Sequence, residues 1–305
     1  MNRNRIFVIA SIIIVLIAAS VFVIYFLWKK QPKTEVSKPI IAPQGQSKVT
    51  QVKALSLQIL NPYLYNDKVL YQGYFQGDLL EANLTTGAIT TLMTKNELPE
   101  IDKLAASPSF KKALIFGKSK DAANRYFFVN LENRTTVPLD PSIKRAVFIS
   151  EEKIVYKYLD KTKGLNTINI SDPDGKNWKK IINLTDEHIF LNTLGTGEII
   201  YTASETTDNF AVIKPDGSGK RTIKLPAKVN VNKIAWAADG KSAITAIREA
   251  NKSTDTFYKI DIEKSQKQEI KYTADVPIDA KNLMLTKDGK TLYFTSDDFL
   301  YKMGM

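Results

Sequence analysis

The chain has 305 residues, 44% of them apolar and 10% aromatic, which is enough to build a sizeable core and excludes wholesale disorder. It contains no cysteine, so disulfides, thiolate metal sites, cysteine nucleophiles and a lipoprotein anchor are all excluded. Of the formal charge of +11, residues 1–28 carry +2 and residues 29–50 carry +4, which leaves a mildly basic +5 for residues 51–305 and no indication of a nucleic-acid binder.

After a short tail, residues 1–5, the run from Ile6 to Trp28 is 23 residues without a charge. As a helix it would be about 35 Å long, enough to cross a bilayer with some tilt. A cleaved signal peptide would have a shorter apolar region ending at small residues, whereas Ala18, Ala19 and Ser20 lie mid-run and bulky residues continue to Trp28. The sequence therefore predicts a retained single-pass signal anchor, with Tyr25 and Trp28 as interfacial aromatics. Lys29, Lys30, Lys33 and Lys38 follow the span, and a literal count would keep the rest of the chain in the cytoplasm. Long domains behind a first helix translocate regardless of such charges, so the expectation is an extracytoplasmic domain in the cell envelope. A cytoplasm-facing scaffold is the alternative. Residues 29–46, with Pro32, Pro39 and Pro43, read as an extended spacer.

Beyond the spacer the chain repeats. A polar turn followed by a β-rich run occurs six times, and the residues just before or at the start of those runs are Lys68, Lys112, Lys153, Glu198, Lys241 and Lys290. The intervals are 44, 41, 45, 43 and 49 residues. Each unit continues with a second strand, a tight turn and a shorter strand, as in "RYFFVNL" then "TTVPL". Four antiparallel strands at this period are the signature of a propeller blade. The stretches "SDPDGKNWKKIINL" (171–184) and "IKPDGSGKRTIKL" (213–225) are then the turns joining third and fourth strands in blades three and four. Blade six stops after three strands at Met305, while "SKVTQVKAL" (47–55) is an orphan strand before blade one. Residues 47–55 are expected to complete blade six and close the ring, leaving no open sheet edge. The fold class is all-β, a six-bladed β-propeller over residues 47–305.

"NKIAWAADGKSAITAIRE" (232–249) and "KNLMLTKDGKTLYFTSDD" (281–298) resemble the WD-repeat-like propeller repeat of TolB-type proteins and of the prolyl-oligopeptidase propeller. That repeat has an apolar strand, Ser-Pro-Asp-Gly-Lys and a second apolar strand. "LAASPSFKKALIFGKS" (104–119) is a weaker copy, with Ser109 and Phe110 where Asp-Gly is expected. The resemblance implies architecture, and its superfamily includes binding scaffolds, peptidase accessory domains and lactonases.

No catalytic set is visible. The one histidine, His188, falls where blade three hands over to blade four, without a second histidine for zinc or a Gly-x-Ser-x-Gly elbow for a triad. A calcium site of the lactonase type would draw on loop carboxylates such as Asp102, Asp140, Asp186, Glu187 and Asp279, but lysines are interspersed among them. The hairpin face gathers a candidate basic contact surface: Lys176, Trp178, Lys179, Lys180, Lys220, Arg221, Lys241 and Lys290. Trp236, at the end of an inner strand, is expected to pack between blades. The expectation is a membrane-anchored scaffold without cofactor, binding an envelope protein or wall polymer and not nucleic acid. The alternative is a calcium-dependent lactonase or related hydrolase with its site at the channel mouth.

Overall fold

A computed structural model describes residues 47–52, 55, 58–118, 124–274 and 278–305. The span expected at 6–28 and the spacer at 29–46 lie outside the described residues. Among the described residues, no helix is long and apolar enough to cross a membrane.

The ring begins with β1 (Ser47–Gln51). Blade one is β2 (Ile59–Tyr65), β3 (Lys68–Gly73), β4 (Leu79–Asn83) and β5 (Ile89–Met93), followed by a 3-10 turn at Lys95–Glu97. Blade two is β6 (Lys103–Ala106), β7 (Lys112–Lys118), β8 (Asn124–Asn130) and β9 (Thr135–Pro138). Blade three is β10 (Ile143–Ser150), β11 (Lys153–Asp160), β12 (Leu165–Ser171) and β13 (Lys179–Asn183). Blade four is β14 (Phe190–Thr193), β15 (Ile199–Thr202), β16 (Thr206–Ile213) and β17 (Arg221–Asn230). Blade five is β18 (Ile234–Trp236), β19 (Ser242–Arg248), β20 (Asp255–Asp261) and β21 (Gln266–Ile270). The short β22 (Tyr272–Thr273) precedes β23 (Lys281–Leu285), β24 (Thr291–Ser296) and β25 (Phe299–Gly304).

Five sheets are four-stranded antiparallel meanders in sequence order, and the sixth runs β22-β1-β25-β24-β23. The orphan strand closes the ring as expected. β1 pairs antiparallel with β25, placing Val49 opposite Met303 and Gln51 opposite Tyr301. Val49 is buried beside Met303, Leu292 and Phe294, so closure rests on side-chain burial as well as on the hydrogen-bond ladder. The sequence pattern did not anticipate β22. Its two residues run parallel to β1, and the Ser47 amide donates to the Lys271 carbonyl at 2.9 Å, which joins blade five's exit to the closing strand.

The core lies between blades. Phe257 of blade five packs against Phe294 of blade six, with ring centroids 5.0 Å apart. Trp236 meets Phe210 of the preceding blade edge to face at 5.2 Å, the packing role expected for it. Blades approach closely enough that a Cβ on Gly195 of blade four would run into the backbone of Ala238 in blade five.

One turn departs from the repeat instructively. Asp239-Gly240 and Asp288-Gly289 set glycines at φ 67° and 70° before their second strands, and Phe110 takes the same left-handed conformation at φ 58°. It is buried, and its ring lies 5.6 Å from Tyr65 and 6.3 Å from Tyr63 of blade one. Inter-blade aromatic packing holds a side chain where the backbone favours glycine.

Candidate functional site

The inner strands β2, β6, β10, β14 and β23, with the residues leading into β18, deliver polar side chains to one cavity of about 610 Å³ at the centre of the ring. These side chains come from the end where the inner strands begin. Irregularities in the strands help to aim them. The β2–β3 ladder shifts register between Leu60 and Tyr63, with Asn61 at φ 49°, and the β23–β24 ladder shifts between Lys281 and Met284, with Asn282 at φ 50°. β10 shifts between Ile143 and Arg145. A bulge turns a side chain away from the strict alternation of a strand, so these positions project where regular pleating would not send them.

The lining is cationic and rich in amides. Lys103, Arg145, Lys233 and Lys281 supply charge, and Asn61, Asn192, Asn230, Asn232 and Asn282 supply amide groups, four of them with one amide atom already hydrogen-bonded within the chain. Among the described residues, Asp102 is the one acidic residue of the lining.

The four cations are not equivalent. Lys233 is already satisfied: its Nζ lies 2.9 Å from Asp255 Oδ2 and 3.0 Å from Asp279 Oδ1. Asp255 is fully buried, accepts the Ala280 amide at 2.7 Å and also faces Arg248, whose second partner is Asp279 at 3.0 Å. Burial raises the Asp279 carboxyl, but the hydrogen bond and charge of Lys233, with Arg248 and Lys281 behind it, outweigh burial and hold it below the usual carboxylate range. This network braces the channel wall between blades five and six.

Lys103, Arg145 and Lys281 have no carboxylate at ion-pair distance among the described residues. The Arg145 guanidinium lies 4.6 Å from the centroid of the Phe190 ring, a contact that orients it without neutralising it. Lys103 is exposed to solvent along its side chain, but the surrounding wall partly desolvates its ammonium and lowers it from its ordinary value. The charge of Arg145 lowers it further, and Asp102 offsets this in part. Two cations held against repulsion in a concave wall form an arrangement that an anion would relieve.

The hairpin face is organised differently. Lys176 pairs with Asp174 at 2.9 Å, Arg221 with Glu198 at 2.8 Å and Lys241 with Glu263 at 3.1 Å. Lys112 and Lys153 on that face pair with Glu152 and Asp172. Lys179, Lys180, Lys220 and Lys290 are exposed and have no ion pair among the described residues. Trp178 is 63% exposed. Blades three and four bring their turns together, since a Cβ on Gly217 would lie 3.2 Å from the Ile181 carbonyl of the neighbouring blade. Lys176 to Lys180 and Lys220 to Arg221 are therefore neighbours, while Lys241 and Lys290 belong to blades five and six.

His188 is exposed in the connection between β13 and β14. Among the described residues, no three of His, Asp and Glu come together as metal ligands, so the acidic loop residues weighed as calcium ligands do not converge.

Sequence reasoning missed the channel cations, although a signal existed. Lys103 and Lys281 stand nine residues before Lys112 and Lys290, and Arg145 and Lys233 stand eight before Lys153 and Lys241. In four of the six blades, the register that marks the second strand thus also marks a basic residue near the start of the inner strand.

No protein-family model matches the sequence, and no curated protein matches it. Solved structures match the fold. An oligogalacturonate lyase in complex with manganese superposes with a TM-score of 0.56 at 12% identity, covering 81% of this chain and 77% of its own. A gluconolactonase from Xanthomonas campestris gives 0.56 at 10% identity, covering 85% of this chain and 90% of its own. TolB from Acinetobacter baumannii gives 0.51 at 14% identity, covering 82% of this chain and 63% of its own. The shared feature is the propeller architecture. At such identities the likeness is one of architecture, and it spans enzymes as well as TolB.

Proposed function

We propose that this chain is a membrane-tethered binding module of the cell envelope, and that the mouth of its central channel holds anionic groups of an envelope polymer. The observation that carries this reading is the set of three cations, Lys103, Arg145 and Lys281, lining one cavity without carboxylate partners among the described residues. A preformed concave site with convergent polar groups is where propellers and other rigid scaffolds bind ligands. The tether rests on the uncharged run from Ile6 to Trp28. The chain joins the ring at Ser47, at the hairpin end of β1 and opposite the channel mouth.

Two of the matched propellers are a lyase and a gluconolactonase. In this chain the channel lining is amides and cations rather than a group of carboxylates, which supports binding over metal-assisted chemistry. The hairpin surface around Trp178, Lys179, Lys180 and Lys220 is a second contact surface, available to an envelope protein.

The reading is tested by titrating the detergent-solubilised full-length protein with polygalacturonate and with polyphosphate at low and high salt. Binding should be salt-sensitive and should be lost in a Lys103→Ala/Arg145→Ala variant. Undiminished binding in that variant, or no binding of either polymer at low salt, would refute it. Protease treatment of spheroplasts should digest the ring if it lies outside the membrane, and should spare it if the ring faces the cytoplasm.

A further inference from the structure

Beside the channel, the loop joining β3 to β4 presents two aromatic rings to solvent. Phe75 is 79% exposed and Tyr74 is 45% exposed, and their centroids lie 5.1 Å apart in an edge-to-face arrangement. Phe75 is the most exposed large apolar side chain among the described residues. Its loop is well tied. The Gly73 amide donates to the Asp78 carbonyl at 2.9 Å, the Gly77 amide to the Gly73 carbonyl at 2.8 Å, and the Lys95 amide to Asp78 Oδ1 at 2.8 Å. A fixed loop that keeps Phe75 in water forgoes about 2 kcal/mol of burial, and Tyr74 beside it is only half covered. Such a pair has the character of a contact surface rather than of incomplete packing.

Its position decides what it could contact. Loops between second and third strands lie at the same end of the ring as the starts of the inner strands. The Tyr74 amide reaches the Gln58 carbonyl at 3.4 Å, just before β2 carries Asn61, Pro62 and Tyr63 to the cavity. The pair therefore sits outward of the channel wall by one to two strand spacings, roughly 5–10 Å. That is a span of one or two sugar units.

Building on the channel reading, we infer that the ligand is an acidic sugar chain, with Tyr74 and Phe75 forming a stacking subsite outside the cationic mouth. Such a chain meets each feature in turn. Its carboxylates match Lys103, Arg145 and Lys281. Its hydroxyls match the amide of Asn61, the Nδ2 donors of Asn192 and Asn230 and the Oδ1 acceptors of Asn232 and Asn282. The other half of each of the last four amides is hydrogen-bonded within the chain. The apolar face of its ring stacks on an aromatic side chain. Polyphosphate has no apolar face. An acidic peptide needs a groove or a free strand edge for its backbone, whereas the apolar patch here is two rings wide and the edge strands β5, β9, β13, β17 and β21 are the outermost of their blades, away from the channel.

The test uses the detergent-solubilised full-length protein, three probes (a galacturonate oligomer, polyphosphate and polyglutamate) and two variants. Phe75→Ala alters an exposed side chain and should fold as wild type, which a thermal melt verifies. It should weaken galacturonate binding about tenfold and leave polyphosphate binding unchanged. Lys103→Ala/Arg145→Ala should lose both. If Phe75→Ala binds galacturonate as wild type does while the channel variant loses both polymers, the stacking subsite is refuted and the anionic channel stands. If wild type binds none of the probes, both readings fall together. Tight polyglutamate binding that depends on Phe75 would overturn the sugar assignment in favour of an acidic peptide.

Discussion

Phe110 sets two energies against each other at one residue, and their separation can be measured. Its φ of 58° costs an L residue roughly 1–2 kcal/mol. Its side chain is 5% exposed and sits among Leu70, Leu79, Met93 and Ile115, with tyrosine rings at 5.6 and 6.3 Å. Truncating such a phenylalanine to alanine removes about 3–5 kcal/mol and leaves the backbone strain in place. Truncation to glycine loses the same packing but relieves the strain, against an unfolded-state penalty of about 0.4–1 kcal/mol. Phe110→Ala should therefore be the less stable variant, and Phe110→Gly should exceed it by about 0.5–1 kcal/mol. For a ring of this size each kcal/mol moves Tm by about 2–4 °C, so the alanine variant should melt roughly 6–20 °C below wild type. Gly289, at the equivalent turn of blade six, has open space where a Cβ would be, so Gly289→Ala reports the strain less the same unfolded-state contribution, with no packing lost. It should cost about 0.5–1 kcal/mol, the same margin as between alanine and glycine at position 110. Urea and thermal melts of the three variants decide the matter. If alanine at 110 is as stable as glycine, the backbone strain is not there. If both melt within about 2 °C of wild type, the inter-blade aromatic packing contributes nothing.

Replacing Val49 with aspartate would set a carboxylate against Leu292, Phe294 and Met303, and should cost at least about 3 kcal/mol and expose the ring to limited proteolysis. A wild-type melt for Val49→Asp would show that β1 does not close the ring. Asp255→Asn leaves Lys233 and Arg248 with only Asp279 between them, and is expected to destabilise by about 3–5 kcal/mol, read by urea denaturation at neutral pH. A loss below 1 kcal/mol would mean that the network is dispensable. The Tyr258 hydroxyl donates to Glu249 at 2.7 Å, and this hydrogen bond, with burial behind it, pushes the phenol up to about 12. Because its folded value is raised above the ordinary tyrosine value near 10, its stabilisation is complete below pH 10 and is lost as pH rises toward 12. Denaturation curves at pH 9 and 11 should show a steeper fall for wild type than for Tyr258→Phe, and equal falls would refute the assignment.

The blades were legible because their punctuation is local. Lys68, Lys112 and Lys153 begin β3, β7 and β11, and Glu198, Lys241 and Lys290 immediately precede β15, β19 and β24. Turn chemistry and strand alternation are written within a few residues, so their period survives even where Phe110 replaces glycine. Ring closure was legible by completion, since an orphan strand at one end matched a missing strand at the other. β22 was not, because two residues pairing in parallel with a strand more than two hundred positions earlier leave no local pattern. The bulges at Asn61 and Asn282 were hidden for a related reason: a left-handed asparagine inside an apolar-polar alternation looks like one more polar position.

The site escaped because a sequence displays charges without displaying which are already answered. Counted along the chain, the hairpin lysines outnumber those of the channel, and they drew attention first. Folding reverses that order. Lys112, Lys153, Lys176, Arg221 and Lys241 find carboxylates, mostly from neighbouring strands and turns, and such exposed pairs contribute little energy while cancelling the local field. Lys179, Lys180 and Lys220 keep their charge but remain in bulk water, where solvent and salt screen them. Lys103 and Arg145 are in a different physical situation. The wall of the ring brings them together, burial and mutual repulsion oppose the charge on Lys103, and Asp102 offsets this only in part. An anion arriving there would meet two cations that the fold holds close to each other, although Lys103 itself is exposed as the hairpin lysines are. That difference in surroundings, and not the number of lysines, is what favours the channel over the hairpin face in the proposed binding.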